Sequence, residues 1–290
     1  MIKEVNKQNE EFIKNFESKV KQTIKKYSLC SKRDKIAVAV SGGKDSTAVL
    51  YLLKKFGYDV FALHIDLGMG DYSKKCQDLL KKFCKEYGIK RHIVEMKKIF
   101  GCTMCYIREG VQSKEKLSNC TICGIIKKWL LNKYARKFKA TKIATGHNID
   151  DEAETILVNF FKGNPYLGAN SSPSVGVLQD KKFVTRIKPL YFCHNSETKR
   201  YALNMNFDVV GKCPCAFGTF RLRTRAFLDK FEQEESDLMK EKIVENFLSI
   251  LPELRKKAEK GELKHCKNCG EPSRNEICKT CEIWGKFKVR

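Results

Sequence analysis

A short apolar segment that ends in a glycine pair constrains the fold more than any other part of the sequence. Residues 35–40 have the continuous apolar pattern of a strand buried on both faces of a parallel sheet. Gly42 and Gly43 follow, and a helical pattern begins near Asp45. Because two parallel strands need a long crossover, usually a helix, this opening predicts an α/β fold.

Alternating strands and helices continue through the first half of the chain. Further strands are predicted at 60–65, 91–95 and 142–145, and helices at 5–28, 45–56, 72–87, 120–137 and 150–161. Helical pattern returns over 195–205 and 226–258, whereas the Gly/Ser/Pro-rich residues 163–182 are predicted to form a mobile loop. This alternation predicts a Rossmann-like parallel sheet that binds ligands at the carboxyl ends of its strands.

Composition divides the chain into four expected parts. They are an N-terminal helix (1–30), the α/β domain (31–225), a helical extension (226–260) and a cysteine-rich tail (261–290). The N-terminal residues are charged, and no apolar run reaches the roughly 18 residues that a membrane span needs. We therefore expect a cytoplasmic protein with no membrane partner.

The charge of the chain points to an anionic partner. Lys and Arg number 57 against 34 Asp and Glu, a net charge of +23. Such an excess repels itself unless a polyanion offsets it, and RNA is the commonest polyanion available to a protein of this kind. A simple bias towards lysine would give the same total, and the lysines are too evenly spread to locate a site.

Cysteine spacing indicates metal chemistry. The chain has 14 cysteines and no secretion signal, which favours thiolate ligands or redox chemistry over disulfides. Eight of them form four C-x-x-C pairs: Cys102/Cys105, Cys120/Cys123, Cys266/Cys269 and Cys278/Cys281. The last two pairs suit a tetrahedral zinc ion, and a tail with so little apolar content needs a metal to fold. We therefore predict a C-terminal zinc finger.

The glycine pair after the first strand has the features of a phosphate-binding loop. Two glycines let the backbone approach a phosphate, the helix N-terminus supplies N–H donors, and Lys44 adds positive charge. The lysine directly follows the glycines, so this is not the Walker pattern. The segment SGGKDS after a strand resembles the PP-loop of the ATP-pyrophosphatases, which cleave ATP between its α and β phosphates and adenylate a carbonyl oxygen.

This resemblance implies a nucleotide site and a magnesium ion. The residues it implies for ATP are Ala39, Ser41, Gly42, Gly43, Lys44, Asp45, Ser46, Thr47, His64, Ile65 and Gly146. Asp45 is expected to help hold magnesium, and His64 and Ile65 are expected to line the adenine pocket. Without the resemblance, a histidine at a strand end would suit a structural role equally well.

Three further segments resemble the TtcA/TtuA-type enzymes that thiolate the 2-position of tRNA bases. The matching residues are Cys120, Cys123 and Lys127, then Gly146 and Asp151, and finally Cys213 before a proline. The resemblance implies a 4Fe-4S cluster held by Cys120, Cys123 and Cys213. It also implies catalytic roles for Asp45, Lys127 and Asp151. Relatives of this kind often carry a second, N-terminal zinc finger, which we do not expect here because Cys30 is the only cysteine in that region.

Three protein thiolates on a cubane cluster leave one iron open, where hydrosulfide can bind. Adenylation of the 2-carbonyl of uracil turns AMP into a leaving group, so that sulfur attack becomes feasible. The expected activity is that of an ATP-dependent tRNA sulfurtransferase, which adenylates the 2-carbonyl of a tRNA uridine and replaces its oxygen with sulfur. Lys127 would stabilise the developing charge, and Asp151 would orient metal or move a proton.

Other interpretations remain open at this point. The chain fits a lysidine-synthetase-like PP-loop ligase with only structural zinc, or a zinc-bound RNA-binding protein without activity. Cys102, Cys105, Cys120 and Cys123 would also form a four-cysteine zinc site, although that leaves Cys213 unexplained. Cys102 and Cys105 would alternatively be a redox pair, a sulfur carrier or part of the packing of their loop. Cys215 could serve as a persulfide relay or a spare ligand, but we expect it to be neither.

Three alternating arginines, Arg221, Arg223 and Arg225, are predicted to guide the phosphates of an RNA loop. A solvated basic face would have the same pattern. The expected partners are tRNA and a sulfur donor, which is sulfide, a persulfide or a ubiquitin-like thiocarboxylate protein. Relatives of this type also lead us to expect a homodimer.

Overall fold

The structure of the protein, a computed structural model, describes residues 2–113, 117–175, 180–211, 213–216, 218–235, 238–257 and 263–288. Its strands are β1 Lys35–Ala39, β2 Asp59–Asp66, β3 Lys90–Glu95, β4 Lys142–Ala144, β5 Ser174–Val175, β6 Thr185–Ile187, β7 Lys264–His265 and β8 Pro272–Ser273. Its helices are α1 Ile2–Lys26, α2 Lys44–Lys55, α3 Gly70–Glu86, α4 Met96–Phe100, α5 Met104–Gln112, α6 Asn119–Lys137, α7 Ile149–Phe161, α8 Asn195–Asn204, α9 Phe220–Glu235, α10 Met239–Lys257 and α11 Lys279–Lys288.

The central sheet has the order β3-β2-β1-β4-β6-β5. All neighbouring pairs are parallel except β5 and β6. In the middle, Val38 of β1 pairs with Ala62 on one side and Ala144 on the other, so β1, β2 and β4 end at the same edge. The chain passes from β1 to β2 in one direction and later adds β4 on the opposite side, which makes the β1/β4 edge a topological switch point.

Helices cover both faces of the sheet and bury its apolar strands. On one face Phe16, Leu50 and Tyr201 of α1, α2 and α8 join one buried cluster. On the other face the buried side chains come largely from α5 and α6, including Ile107 and Ile126. This two-sided burial explains why the middle of β1 is continuously apolar rather than alternating.

A third apolar cluster joins α7 to α9 and α10. Ile156 of α7 packs in this cluster with Leu228 of α9 and Phe247 of α10. The tail also packs onto the main body, since Ile283 of α11 is buried in the cluster of α5 and α6. Consequently both C-terminal segments pack against helices that cover the central sheet.

The predicted α/β class and its parallel sheet are confirmed. The structure adds α4 and α5 where the sequence predicted only a cysteine-bearing loop, and it adds the very short strands β5 and β6. The expected loop 163–182 contains a 3-10 helix, Pro165–Asn170, together with β5, and residues 176–179 lie outside the described part. The helical pattern 226–258 belongs to two helices, α9 and α10, and α9 already begins at Phe220.

The search for membrane spans found no described helix that combines the length and the apolar character to cross a bilayer. The predicted division into four parts stays a prediction.

Candidate active site at the carboxyl edge of the sheet

The loop between β1 and α2 has the backbone shape of an anion-binding turn. Gly42 has φ +87°, a conformation that strains any residue with a β-carbon. A β-carbon there would also lie 3.0 Å from Val210 and 3.2 Å from the sulfur of Cys76. The turn is tightened by the Ser41 amide, which donates to Ser46 Oγ at 3.2 Å. The N-terminus of α2 is therefore left for an anionic ligand.

The residues predicted to contact ATP do gather at one edge of the sheet. Ala39 and the loop lie at the end of β1, His64 and Ile65 lie near the end of β2, and Gly146 follows β4. Gly146 is packed tightly, because a β-carbon there would lie 2.7 Å from the Ser46 amide nitrogen. The two loops thus meet backbone to backbone at the switch point.

Asp45 is the centre of a small polar network beside this contact. Its Oδ1 accepts from Lys44 Nζ at 2.6 Å and from Asn148 Nδ2 at 3.3 Å. Lys44 also donates to Asn195 Oδ1 at 2.6 Å. Burial raises the pKa of Asp45 above its usual range, with a further contribution from the negative charge of Asp151, while Lys44 opposes the shift. Two carboxylates that repel each other in this way suit a divalent cation.

Asp151 is held rigidly at the start of α7. Its Oδ2 accepts from the Asn148 amide, and its own amide donates to Asn148 Oδ1, a reciprocal capping box. Its Oδ1 accepts from Arg225 Nη2 at 2.6 Å. The cap explains the position of Asp151, whereas the arginine brings a compensating charge from α9.

His64 is buried and neutral. Its Nδ1 lies 2.8 Å from the Val40 carbonyl oxygen, which only an N–H can satisfy, so Nδ1 carries the proton. Burial lowers the pKa of His64 below its ordinary value. Nε2 is buried and has no hydrogen-bond partner among the described residues. The ring therefore presents an unpaired acceptor beside the phosphate loop.

The three cysteines predicted to hold the cluster come from two places. Cys120 and Cys123 lie in the first turns of α6, and Cys213 lies in the segment before α9. Burial raises the pKa of the Cys123 thiol, Lys127 and Arg108 oppose this, and Cys213 and Cys120 add to it. Cys123 is thus close enough to interact with each of the other two thiols.

Their spacing separates this set from a single-ion site. Among the described residues, Cys120, Cys123 and Cys213 do not form a group with ligand atoms within 4.8 Å of one another. A cubane cluster binds each thiolate through a different iron and so needs wider spacing than one ion does. These three thiols are thus not drawn together around a single ion, and thiolates are the ligands that an iron–sulfur cluster takes. The alternative zinc site of Cys102, Cys105, Cys120 and Cys123 is not assembled by the same criterion.

Lys127 connects the thiols to the nucleotide side. It lies one helical turn after Cys123 and interacts electrostatically with Cys123, Cys76 and His64. Cys76 stands alone in the sequence, outside the C-x-x-C pairs, and its side chain is buried. It nevertheless lies against Gly42, hydrogen bonds with Tyr72 and interacts with Cys213. No local sequence pattern could have indicated this contact, because α3 brings Cys76 there through the fold.

The three arginines predicted to contact RNA begin α9, and two of them already bind carboxylates. Arg225 Nε lies 2.7 Å from Glu154, and Arg221 also pairs with Glu154 and donates to Thr155 Oγ1 at 2.8 Å. These bonds attach α9 to α7. Arg223 is exposed.

A basic cavity that the sequence did not indicate lies next to these arginines. It has a volume of about 1120 Å³, and its wall includes Lys128, Arg186, Lys188 and Arg221 together with His147. Lys188 is partly neutralised by Glu152 at 2.7 Å. Desolvation lowers the pKa of His147, and the nearby positive charges of Lys188, Arg221 and Lys128 lower it further.

The tail forms a compact four-sulfur site. The ligand atoms of Cys266, Cys269, Cys278 and Cys281 all lie within 4.8 Å of one another, and Cys269 and Cys278 are 3.7 Å apart at sulfur. Zinc–sulfur bonds of about 2.3 Å in a tetrahedron place the sulfurs about 3.8 Å apart. Gly270 supports the turn with φ +68°. The donor set therefore fits a single tetrahedral ion.

Comparison with known proteins places this geometry in a family. The model of the PP-loop domain matches residues 12–210. A tRNA-5-methyluridine(54) 2-sulfurtransferase from Pyrococcus horikoshii is 37% identical over 96% of this chain and 87% of its own length. The chain belongs to the PP-loop family of tRNA 2-sulfurtransferases.

Two other members of this sulfurtransferase family extend the comparison. A cytoplasmic tRNA 2-thiolation protein 1 from Chlamydomonas reinhardtii is 31% identical over 94% of this chain and 76% of its own length. The solved U34-tRNA thiolase NcsA from Methanococcus maripaludis, with its [4Fe-4S] cluster, superposes with a TM-score of 0.76 at 29% identity. That match covers 95% of this chain and 88% of the other. The predicted class of transferase is thus confirmed.

Proposed function

We propose that this sulfurtransferase uses ATP to adenylate the 2-carbonyl of a tRNA uridine and then replaces that oxygen with sulfur. One observation carries the proposal. Lys127 interacts with His64 beside the phosphate loop and with Cys123 of the thiol set, so one lysine lies close to both the nucleotide residues and the sulfur residues. A ligase that needed only structural zinc would have no use for thiols at that position.

The nucleotide would lie across the switch point. Amides of the loop around Gly42 and the N-terminus of α2 would bind phosphate, with Lys44 as the nearest cation. A β-carbon on Gly146 would collide with the Ser46 amide, so only glycine fits at this contact. The surface of the phosphate loop would therefore stay flat for the ligand. His64 Nε2 would accept a hydrogen bond from an amino group such as that of adenine.

Asp45 and Asp151 would hold a magnesium ion between them. The repulsion that raises the pKa of Asp45 would then become attraction to the ion, with Lys44 and Arg225 balancing the remaining charge. In this role the two carboxylates would hold the ion, which when bound would neutralise phosphate charge as the base carbonyl attacks the α-phosphate of ATP. Lys127 would stabilise negative charge on the leaving AMP.

Cys120, Cys123 and Cys213 would hold a 4Fe-4S cluster, which when bound supplies sulfur in a nucleophilic form. The exposure of Cys120 and the partial exposure of Cys213 leave that side open to substrate. The [4Fe-4S] cluster of the NcsA thiolase supports this part of the proposal.

The substrate would be a uridine in a loop of tRNA. The two relatives named by position act on 5-methyluridine 54 and on uridine 34, both bases in loops. Lys128, Arg186 and Lys188 in the basic cavity, with the exposed Arg223, would bind the RNA backbone. Arg221 and Arg225 would chiefly position α9, because Glu154 and Asp151 already occupy them.

The tail would bind one zinc ion through Cys266, Cys269, Cys278 and Cys281. We also propose that the protein forms a homodimer. The proposed domain bounds are 1–30, 31–225, 226–260 and 261–290. Zinc here would hold α11 against α5 and α6 rather than take part in the reaction.

The test is product formation with undermodified tRNA. Protein prepared without oxygen, supplied with ATP and sulfide, should form AMP and 2-thiouridine in equal amounts, as measured by nucleoside mass spectrometry. Asp45→Asn should lose both products. Asp59→Asn changes an exposed aspartate at the start of β2 and should lose neither. Thiolation without AMP, or AMP formation that ignores tRNA, would rule the proposal out.

A further inference from the structure

A second pair of sulfur atoms lies beside the proposed cluster site. Arg108 Nη2 donates to Cys105 Sγ at 3.1 Å and to Cys215 Sγ at 3.1 Å. Because both sulfurs bind one nitrogen, they lie less than twice that distance apart. Cys105 belongs to α5 and Cys215 to the segment before α9, so only the fold brings them together.

The arginine that joins them is an unusual partner for neutral thiols. Arg108 is only 5% exposed. Its Nε donates to the Met104 carbonyl oxygen at 3.3 Å, and among the described residues it forms no ion pair with a carboxylate. A buried guanidinium is costly unless an anion accompanies it. Its other partners are three sulfur atoms, those of Cys105 and Cys215 at 3.1 Å and that of Met69 at 3.9 Å, and only the two cysteine sulfurs are nucleophiles.

The pair reaches from the protein surface towards the proposed cluster ligands. Cys105 is exposed, whereas Cys215 is half-buried. Arg108 interacts electrostatically with Cys123, one of the proposed cluster ligands. A sulfur atom taken up at Cys105 would therefore be released next to the place where the thiolation reaction needs it.

We propose that Cys105 and Cys215 are a dithiol that accepts sulfur from a persulfide and releases it as hydrosulfide. The proposal rests on the proposed thiolation, since hydrosulfide is what that site would consume. Cys105 thiolate attacks the terminal sulfur of the donor persulfide, the donor S–S bond breaks, and the donor leaves as a thiolate. Cys105 then carries the persulfide.

Release follows by attack of the second thiol. Cys215 thiolate attacks the inner sulfur of the Cys105 persulfide, and the terminal sulfur leaves with the bonding electron pair as hydrosulfide. The two cysteines are oxidised to a disulfide as the sulfane sulfur is reduced. A dithiol reductant then restores both thiols. Arg108 is a positioning residue that keeps the two sulfurs within reach.

The test uses glutathione persulfide with the full-length protein in the absence of oxygen. Cys215→Ser should accumulate a persulfide on Cys105, seen by peptide mass spectrometry after alkylation. The unchanged protein should release hydrosulfide and form a peptide cross-linked through Cys105 and Cys215. Cys105→Ser should do neither beyond the level without protein. Cys30→Ala is the matched control, because burial raises the pKa of Cys30 to about 11 and it lies apart from the site.

Two sulfur sources separate this proposal from the proposed function. With sodium sulfide, Cys105→Ser should thiolate tRNA as well as the unchanged protein does, whereas with glutathione persulfide it should fail. Arg108→Lys should keep part of the persulfide-driven rate and Arg108→Leu should lose it. Absence of thiolation from either source in every protein, with persulfide uptake intact, would refute only the proposed function. Equal hydrosulfide release from all variants would overturn the dithiol.

Discussion

The two cysteine regions of the molecule differ in how their cysteines are brought together, within one segment in the tail and from distant segments in the interior. In the tail, four sulfurs from one short segment lie within 4.8 Å of one another. At the carboxyl edge of the sheet, Cys120 and Cys123 meet Cys213 only because α6 and the segment before α9 are held together, and their sulfurs stand further apart. A local set closes around one ion and stabilises its own segment. A set assembled by the fold can stay open to a reactant.

The largest effect is expected from a substitution in the tail site, which should affect the tail but not the interior cysteine set. Cys269→Ser should cost on the order of 10 kcal/mol of metal-binding free energy, because a segment with so small a core folds only around its ion. Bound zinc, measured by mass spectrometry of the metal, should fall from one per chain towards zero. Limited proteolysis should then cut within 263–288 first.

The same variant also tests the independence of the regions. Absorbance of the iron–sulfur cluster should survive Cys269→Ser in protein prepared without oxygen. Loss of the cluster together with the zinc would mean that the tail is part of the interior site, and the comparison would fail.

The second largest effect is expected from a substitution that destabilises the interior region but leaves every cysteine in place. Lys240 is 4% exposed and binds Asp150, Asp229 and Glu232 at 2.6–2.8 Å. Lys240→Met should therefore destabilise the protein by about 3–5 kcal/mol, since it removes the cation that pairs with the buried carboxylate of Asp150. Urea unfolding measures the loss.

The exposed Lys242 on the same helix provides the control, and Lys242→Met should change stability by less than about 0.5 kcal/mol. Zinc content should stay at the level of the unchanged protein in both variants. An effect of Lys240→Met no larger than that of Lys242→Met would contradict the view that fold-level ion pairs support the interior site.

The third prediction changes one interior ligand. Cys213→Ser should lower the rate of tRNA thiolation by more than about 100-fold, because loss of outer partners of metal ligands already costs 10–100-fold. Folding and zinc content should stay normal, and cluster absorbance should fall. Cys30→Ala should leave the thiolation rate, folding, zinc content and cluster absorbance unchanged. Thiolation at the normal rate by Cys213→Ser would remove the cluster from the proposed reaction.

Sequence patterns could predict the parts of this site that depend on local structure. The strand before Ser41 is apolar throughout because both of its faces are buried, and the acidic residues near Asp151 open α7 as expected. The tail site was predictable for the same reason, since all four of its ligands lie in one segment. β5 and β6, of two and three residues, were missed, whereas β4, which is also three residues long, was predicted.

Contacts between distant segments could not be predicted in this way. The approach of Cys76 to Gly42 and the meeting of Cys105 with Cys215 depend on how α3 and α5 pack. The arginines of α9 raised an expectation of RNA contact, but the sequence did not reveal that Glu154 would bind Arg221. A charged residue can be assigned to solvent or to a partner only once its neighbours in space are known.

The smallest expected effect tests how the two regions touch. Gly110 of α5 faces Phe287 of α11, and a β-carbon on Gly110 would lie 2.9 Å from that ring. Gly110→Ala should cost about 1 kcal/mol, because the overlap outweighs the gain in helix propensity. In a Phe287→Ala background the same change should instead stabilise the protein by about 1 kcal/mol.

Gly285→Ala is the matched control, since a β-carbon there meets nothing within 4 Å. It should stabilise α11 in both backgrounds. Urea unfolding of the four proteins of the Gly110/Phe287 cycle measures the coupling directly. A coupling energy near zero would mean that α11 does not press on α5, and the tail would then support the helix of Cys105 and Arg108 by some route other than this contact.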